Sequence, residues 1–155
     1  MECSEILLRG VMSPKDLEPD GPGHAPIVRH TAFLLRRSED ELSVDRLGRN
    51  PGQSPQASFD RWDRQFRDGA LAAVTLHTGR VRGLGLEVVP SPGPENPAHA
   101  GIRGVPHQED DYRRAMYLAS ELQEMARFVR FRDESVEREL RGRWERLRAK
   151  ESHTG

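Results

Sequence analysis

The apolar residues of this chain change their spacing at Asp110. Before it they come in short runs, several with a two-residue repeat, separated by segments rich in Pro and Gly. After it Tyr112, Ala115, Met116, Ala119, Leu122, Ala126 and Val129 recur with the period of a helix, about 3.6 residues. A two-residue repeat lines one face of a strand, and the longer repeat lines one face of a helix. Short strands followed by long helices, without regular alternation, specify an α+β domain on a small, mainly antiparallel sheet.

The runs place strands over 5–12, 27–37, 41–46, 70–76, 86–90 and 98–105, and packed helices over 58–68 and 110–131. Leu42 and Val44 alternate with Ser43 and Asp45, and "SED" at 38–40 offers a turn, so 27–37 and 41–46 read as a hairpin. In "SFDRWDRQFRDG" Ser58 is placed to cap a helix and Gly69 to end it, with Phe59, Trp62 and Phe66 on one face. Thr78 reads as the cap of a single helical turn within 77–85, and 47–56 reads as loop. The expected core is Phe33, Val44, Trp62, Phe66, Val74, Leu76, Val88, Ile102, Leu122 and Val129.

The length of 155 residues suits one domain, over 1–132, with a charged helical extension and tail over 133–155. Hydrophobic residues make up 35% of the chain, enough for a modest core because they are clustered. The 24 basic and 25 acidic residues leave a net charge of −1, so no global field draws the chain toward nucleic acid or anionic lipid. All but two of the basic residues are arginine, in a chain also rich in Ala, Gly and Pro. The single cysteine, Cys3, excludes an internal disulfide. No apolar stretch reaches the ~20 residues of a membrane span, and the first residues lack the basic start and long apolar run of a signal peptide. A cytoplasmic location is the expectation.

Compact catalytic signatures are absent: there is no P-loop, dinucleotide fingerprint, zinc-protease helix, nucleophile elbow or calcium loop. Histidines are the remaining chemical resource. His99 and His107 stand eight positions apart, and a metal site joining them to Asp110 or Asp111 has no diagnostic spacing. No metal and no cofactor are therefore expected. A metal-free site needs a proton-transfer group and cations for a charged intermediate. The candidates are His99, Ser43, His30 and Asp45 for catalysis, with Asp45 orienting an imidazole, and Arg46 and Arg103 for phosphate. His107 follows Pro106 at a loop–helix junction and is the weaker candidate.

The last helix offers a different resource. Over 134–150 only Val136, Leu140, Trp144 and Leu147 form an apolar stripe, among dense charges. Such a narrow seam suits a partner helix, in the same or another chain.

"HTAFLLRRSEDELSV" and "NPAHAGIRG" resemble segments of a set of small bacterial proteins that share an "AF" strand, an "LSV" strand and a later "PAHA-x-I-x-G" segment. The matching residues are Ala32, Phe33, Leu42, Ser43, Val44, Pro97, His99, Ala100, Ile102 and Gly104, within about 5–107. The resemblance implies a shared domain and draws attention to Ser43 and His99 without assigning them a role. Two functions follow as expectations. The first is a partner-binding or regulatory module that contacts another protein, or a second copy, through the C-terminal helix. The second is a small hydrolase or transferase acting on a phosphate-containing substrate such as RNA.

Overall fold

The computed structural model describes residues 2–47 and 54–154, with side chains to residue 151; residues 48–53 of the expected loop lie outside it. The elements in order are β1 (Ile6–Val11), β2 (Leu17–Glu18), β3 (Ile27–Val28), β4 (Leu42–Leu47), α1 (Pro55–Gln65), β5 (Ala72–His77), α2 (Thr78–Gly83), β6 (Glu87–Pro90), β7 (His99–Arg103), α3 (Tyr112–Met125), β8 (Arg127–Phe131) and α4 (Glu134–Thr154). Short 3₁₀ helices occupy Pro14–Asp16 and His30–Phe33. Six strands make one sheet in the order β6-β7-β4-β1-β5-β8, every neighbour antiparallel, and β2 pairs with β3 apart from it. The fold is α+β.

Alternation along the strands builds a core on each face of the sheet. Leu7, Val44, Val74, Leu76 and Ile102 face the larger core, which Leu118 and Leu122 of α3 close. Leu8 and Ala73 face the opposite way and meet Phe59 and Trp62 of α1 in a smaller cluster. Phe59 and Trp62 stack edge to face at 5.3 Å. Helix α1 therefore covers the β1–β5 part of its face and leaves the floor over β4 and β7 to other groups.

Several expectations need correction. Residues 27–37 do not form a strand hairpin with 41–46: only Ile27 and Val28 are extended in a ladder, and β4 pairs with β1 and β7 instead. The Arg9 guanidinium donates to the Ala32 carbonyl through Nε at 3.0 Å and Nη2 at 2.8 Å, holding 30–33 as a 3₁₀ turn over buried Phe33. The helix expected over 110–131 ends at Met125. Its last residues, "RFVRF", are rich in β-formers and add β8 to the outer edge of β5. Val129 consequently turns outward, 36% exposed, and is not core.

Helix α1 begins earlier than Ser58. Ser54 is its cap, accepting from the Ala57 amide at 3.3 Å, and Pro55 occupies the first turn where its missing N–H costs nothing. The helix ends at Gln65, so Phe66 is extended (φ −122°, ψ 139°) and leaves the apolar face; it is 48% exposed. Thr78 is the first residue of α2, not a cap, and its buried hydroxyl has no hydrogen-bond partner among the described residues.

The stripe on α4 is used within the chain. Val136 and Leu140 are buried in the larger core, Trp144 is half-buried against it, and Leu147 is 52% exposed. Of the i,i+4 pairs written into this helix, Glu137–Arg141 forms an ion pair at 2.8 Å, and Arg141 also lies over the Phe131 ring. Asp133 accepts from the Val136 amide at 2.9 Å and caps the helix.

Two predictions follow from this packing. Leu140→Ala should lower unfolding free energy by about 2–5 kcal/mol, whereas Leu147→Ala should change it by less than about 0.5 kcal/mol; urea titration separates them. Asp133→Ala should cost about 1 kcal/mol of cap energy. The Val136 amide bond, helped by Arg132, holds the Asp133 carboxyl below its ordinary 3.8. A depressed folded value means that its stabilisation is present above the ordinary value and is lost as pH falls through the folded one. The difference in melting temperature between Asp133→Ala and the parent should therefore shrink on acidification below about pH 4.

Candidate functional site

The site starts from a carboxylate placed where an apolar residue would be expected. Asp45 lies opposite Leu8 on β1 and opposite His99 on β7, on the face that carries the smaller core, and is only 2% exposed. A charge so placed must be paired and hydrogen-bonded. Its Oδ2 accepts from the Ser58 hydroxyl and from Arg61 Nη2, each at 2.5 Å, and its Oδ1 accepts from the Asn96 amide at 2.9 Å. Arg61 is itself buried and lies over the Trp62 ring.

Asn96 extends this knot into the loop before β7. Its side-chain oxygen accepts from the Ala98 amide at 3.2 Å, and its backbone exchanges hydrogen bonds with Gly93. The loop thereby presents Ser91 to His99: Ser91 Oγ lies 2.7 Å from His99 Nδ1, and the Ser91 carbonyl 3.2 Å from the same atom. Asp45 does not orient His99, although the two residues are opposite in the ladder; Ser91 does. A serine hydroxyl both donates and accepts, so it satisfies Nδ1 whether that nitrogen carries a proton or not. The other ring nitrogen, Nε2, has no hydrogen-bond partner among the described residues.

On the other side the β1–β4 ladder stops at Leu8↔Asp45. Beyond it Arg9 bridges the parting strands by donating to the Ser43 carbonyl at 2.8 Å. Burial pulls the Arg9 guanidinium down to about 10, against the raising effect of Glu39 and Asp16, so it stays charged at neutral pH. Its three hydrogen bonds leave two of the five guanidinium N–H groups for another acceptor.

Between these anchors lies a cleft of about 730 Å³, lined by Ser43, Asp45 and His99 among others. Ser43 is exposed and sits one diagonal step from His99 in the ladder, a separation of roughly 7–8 Å with the Cβ atoms somewhat closer. No hydrogen bond joins the two among the described residues. Gly101, opposite Ser43, is buried beneath the Glu41 carboxylate, which occupies the space a side chain there would need.

The remaining candidates lie elsewhere. His30 opens the 3₁₀ turn and is not among the lining residues. Arg46 is buried in a two-pronged ion pair with Glu5, at 2.8 and 3.0 Å, and Arg103 pairs with Glu41 at 3.2 Å. His107 is half-buried, with Nε2 2.6 Å from the Glu39 carbonyl, and lines an adjoining depression that shares Asp16, Thr31, Leu34 and Arg36 with the cleft. The cleft's uncommitted cations are instead Arg36 and Arg67, whose guanidinium groups pair with no described residue. Nothing in the sequence distinguishes these two from the other arginines. Ser91, Asn96 and Arg61 are not among the sequence-derived candidates: Ser91 and Asn96 sit in a stretch with prolines at 92, 94 and 97, and Arg61 lies among the polar residues of α1. Among the described residues no group of three or more His, Cys, Asp or Glu side chains is placed to hold a metal ion.

Removing one half of the buried pair should be costly. Asp45→Ala strands Arg61 and should destabilise the protein by about 3–5 kcal/mol. Asp45→Leu combined with Arg61→Met should cost clearly less than the sum of the two single changes, because neither charge is then left alone. Urea unfolding at neutral pH measures all four variants, and additive costs would show that the pair is uncoupled.

Compared with protein-family profiles, curated proteins and solved structures, the chain has no match.

Proposed function

We propose that the protein is a small hydrolase or transferase acting on a phosphate-bearing substrate held in the cleft over β4 and β7. The observation that carries this reading is the placement of His99: Nδ1 is held by Ser91, Nε2 is uncommitted, and Ser43 lines the same cleft. A ring fixed at one nitrogen and open at the other is arranged for proton transfer. With the proton on Nδ1, Nε2 takes a proton from an attacking hydroxyl, either of water or of Ser43. The resulting imidazolium returns that proton to the leaving oxygen. Arg9, Arg36 and Arg67 are the cations placed to meet a phosphoryl group, in a cleft that is also lined by the carboxylates of Asp16, Glu39, Asp68 and Glu95. Asp45 takes no part in the chemistry; it holds the floor and the loop.

The partner-binding reading has lost half of its surface. Val136 and Leu140, the inner half of the seam, are core, which leaves Trp144 and Leu147 for a partner. The outer turns of α4, residues 145–151, are exposed throughout and keep that reading as the second one.

The test uses chromogenic phosphate mono- and diesters with the full chain. His99→Ala should reduce turnover by roughly 10²–10⁴ while the melting temperature moves by only a few degrees. Ser43→Ala separates the two attacking hydroxyls: an equal loss makes Ser43 the nucleophile, and a loss below about tenfold makes water the nucleophile. No turnover by the parent, together with a His99 imidazole NMR signal that inorganic phosphate does not shift, overturns the proposal.

A further inference from the structure

Phe66 belongs on the apolar face of α1 by spacing, but the helix ends one residue before it and puts the ring at the cleft instead. It is 48% exposed and stacks on no other aromatic ring among the described residues. A single exposed phenylalanine needs no explanation. Here it lines the same cleft as His99, and it is followed directly by Arg67, one of the two uncommitted guanidinium groups. Gln65, on its other side, also lines the cleft and is exposed. A flat apolar face, a side-chain amide and free cations that line one cleft with a proton-transfer group match the parts of a nucleotide: base, base edge and phosphate.

We propose that Phe66 forms a base-stacking subsite, so that the substrate of the cleft is a nucleotide whose phosphate meets Arg67 and Arg36. The inference rests on the phosphate-substrate reading and adds the class of substrate to it. The cleft volume of about 730 Å³ accommodates one nucleotide, which is within the usual range for small-ligand sites. The negligible net charge agrees with recognition of one or two nucleotides, not of a long backbone track. Gln65 would meet polar atoms on the base edge, as an amide does with adenine.

Calorimetric titration of the full chain with adenosine 5′-monophosphate, ribose 5-phosphate and a hexamer of adenylate RNA tests this. Adenosine monophosphate should bind roughly tenfold to a hundredfold more tightly than ribose 5-phosphate, the margin that one stacked base supplies. Phe66→Ala should remove that margin and leave the affinity for ribose 5-phosphate unchanged. Phe66→Tyr should restore it, and Phe66→Leu, which keeps the apolar bulk without the flat ring, should not. Arg67→Gln should weaken both phosphates by a similar factor. Tight binding of the hexamer with the same dependence on Phe66 identifies the nucleotide as part of an RNA strand; preference for the monophosphate identifies it as free, and either result supports the subsite. Equal affinities for the two monophosphates in the parent overturn the subsite while leaving the phosphate reading intact. No binding of any of the three overturns both.

Discussion

The buried Asp45 carboxylate fixes how three parts of the chain meet. It rises from β4 beside the apolar side chains of Leu8, Phe59 and Trp62, where an unpaired charge would be prohibitive. Ser58 and Arg61 come to it from α1, and Asn96 from the loop before β7. The helix therefore cannot slide along the sheet without unpairing a charge, and the loop cannot lift without stranding a carboxylate oxygen. Burying this pair is not the cheapest way to fill the space, since a well-packed apolar cluster of the same volume serves stability at least as well. Its consequence is positional: it specifies one register of α1 on the sheet and one path for residues 91–98.

That path is what makes His99 chemically interesting. A histidine at the start of an edge-proximal strand is ordinarily a solvated side chain with free rotation. Here the loop returns Ser91 to Nδ1, while the backbone hydrogen bonds from Ser91 to the His99 carbonyl and from His99 to the Asn96 carbonyl hold both ends of the loop on the strand. The order of dependence runs from Asp45 to Asn96, from Asn96 to the loop, and from the loop to the imidazole. Asp45 thus supports the site from a distance of several bonds, which differs from the direct carboxylate–imidazole contact that the ladder register alone suggests.

The strands over 5–12, 41–46, 70–76, 86–90 and 98–105 were legible because each is short, apolar and bounded by breakers, and each reappears within a residue or two as β1, β4, β5, β6 and β7. The errors have a common cause, which is that local pattern was overruled by an edge or an end. "RFVRF" fits either period, and the open edge of β5 decided for the strand. "IVRHTAFLLRR" has strand composition, but β4 had better partners on both sides and the Arg9 guanidinium took the Ala32 carbonyl. Phe66 fits the helical face by count and misses it because the helix stops at Gln65. Within the site, Ser43, Asp45 and His99 were legible as neighbours, since β4 and β7 carry them. The segments around Ala32–Phe33, Leu42–Val44 and Pro97–Gly104 come together in space, with β4 paired to β7 and Arg9 linking the Ala32 and Ser43 carbonyls. The cations were not legible, because in a chain so rich in arginine only the ion pairs of the folded state show which guanidinium groups are already engaged.

The cleft itself follows from incomplete coverage of one sheet face. Its larger core is closed by α3 and the first turns of α4, which bury that side from β8 across to β7. On the other side α1 has only enough apolar surface, Phe59 and Trp62, to cover β1 and β5. An uncovered strip of sheet would normally need either another helix or a continuous polar surface. This chain takes the second course: Ser43 and the paired carboxylate of Asp45 make the floor polar, and residues of the 91–96 loop make one wall. A histidine held on that wall by its inner nitrogen has only one direction left in which to interact, toward whatever enters the cleft. Whatever enters the cleft must supply hydrogen-bond partners for that nitrogen and for the Ser43 hydroxyl, since leaving either buried and unpaired costs more than the bond itself returns.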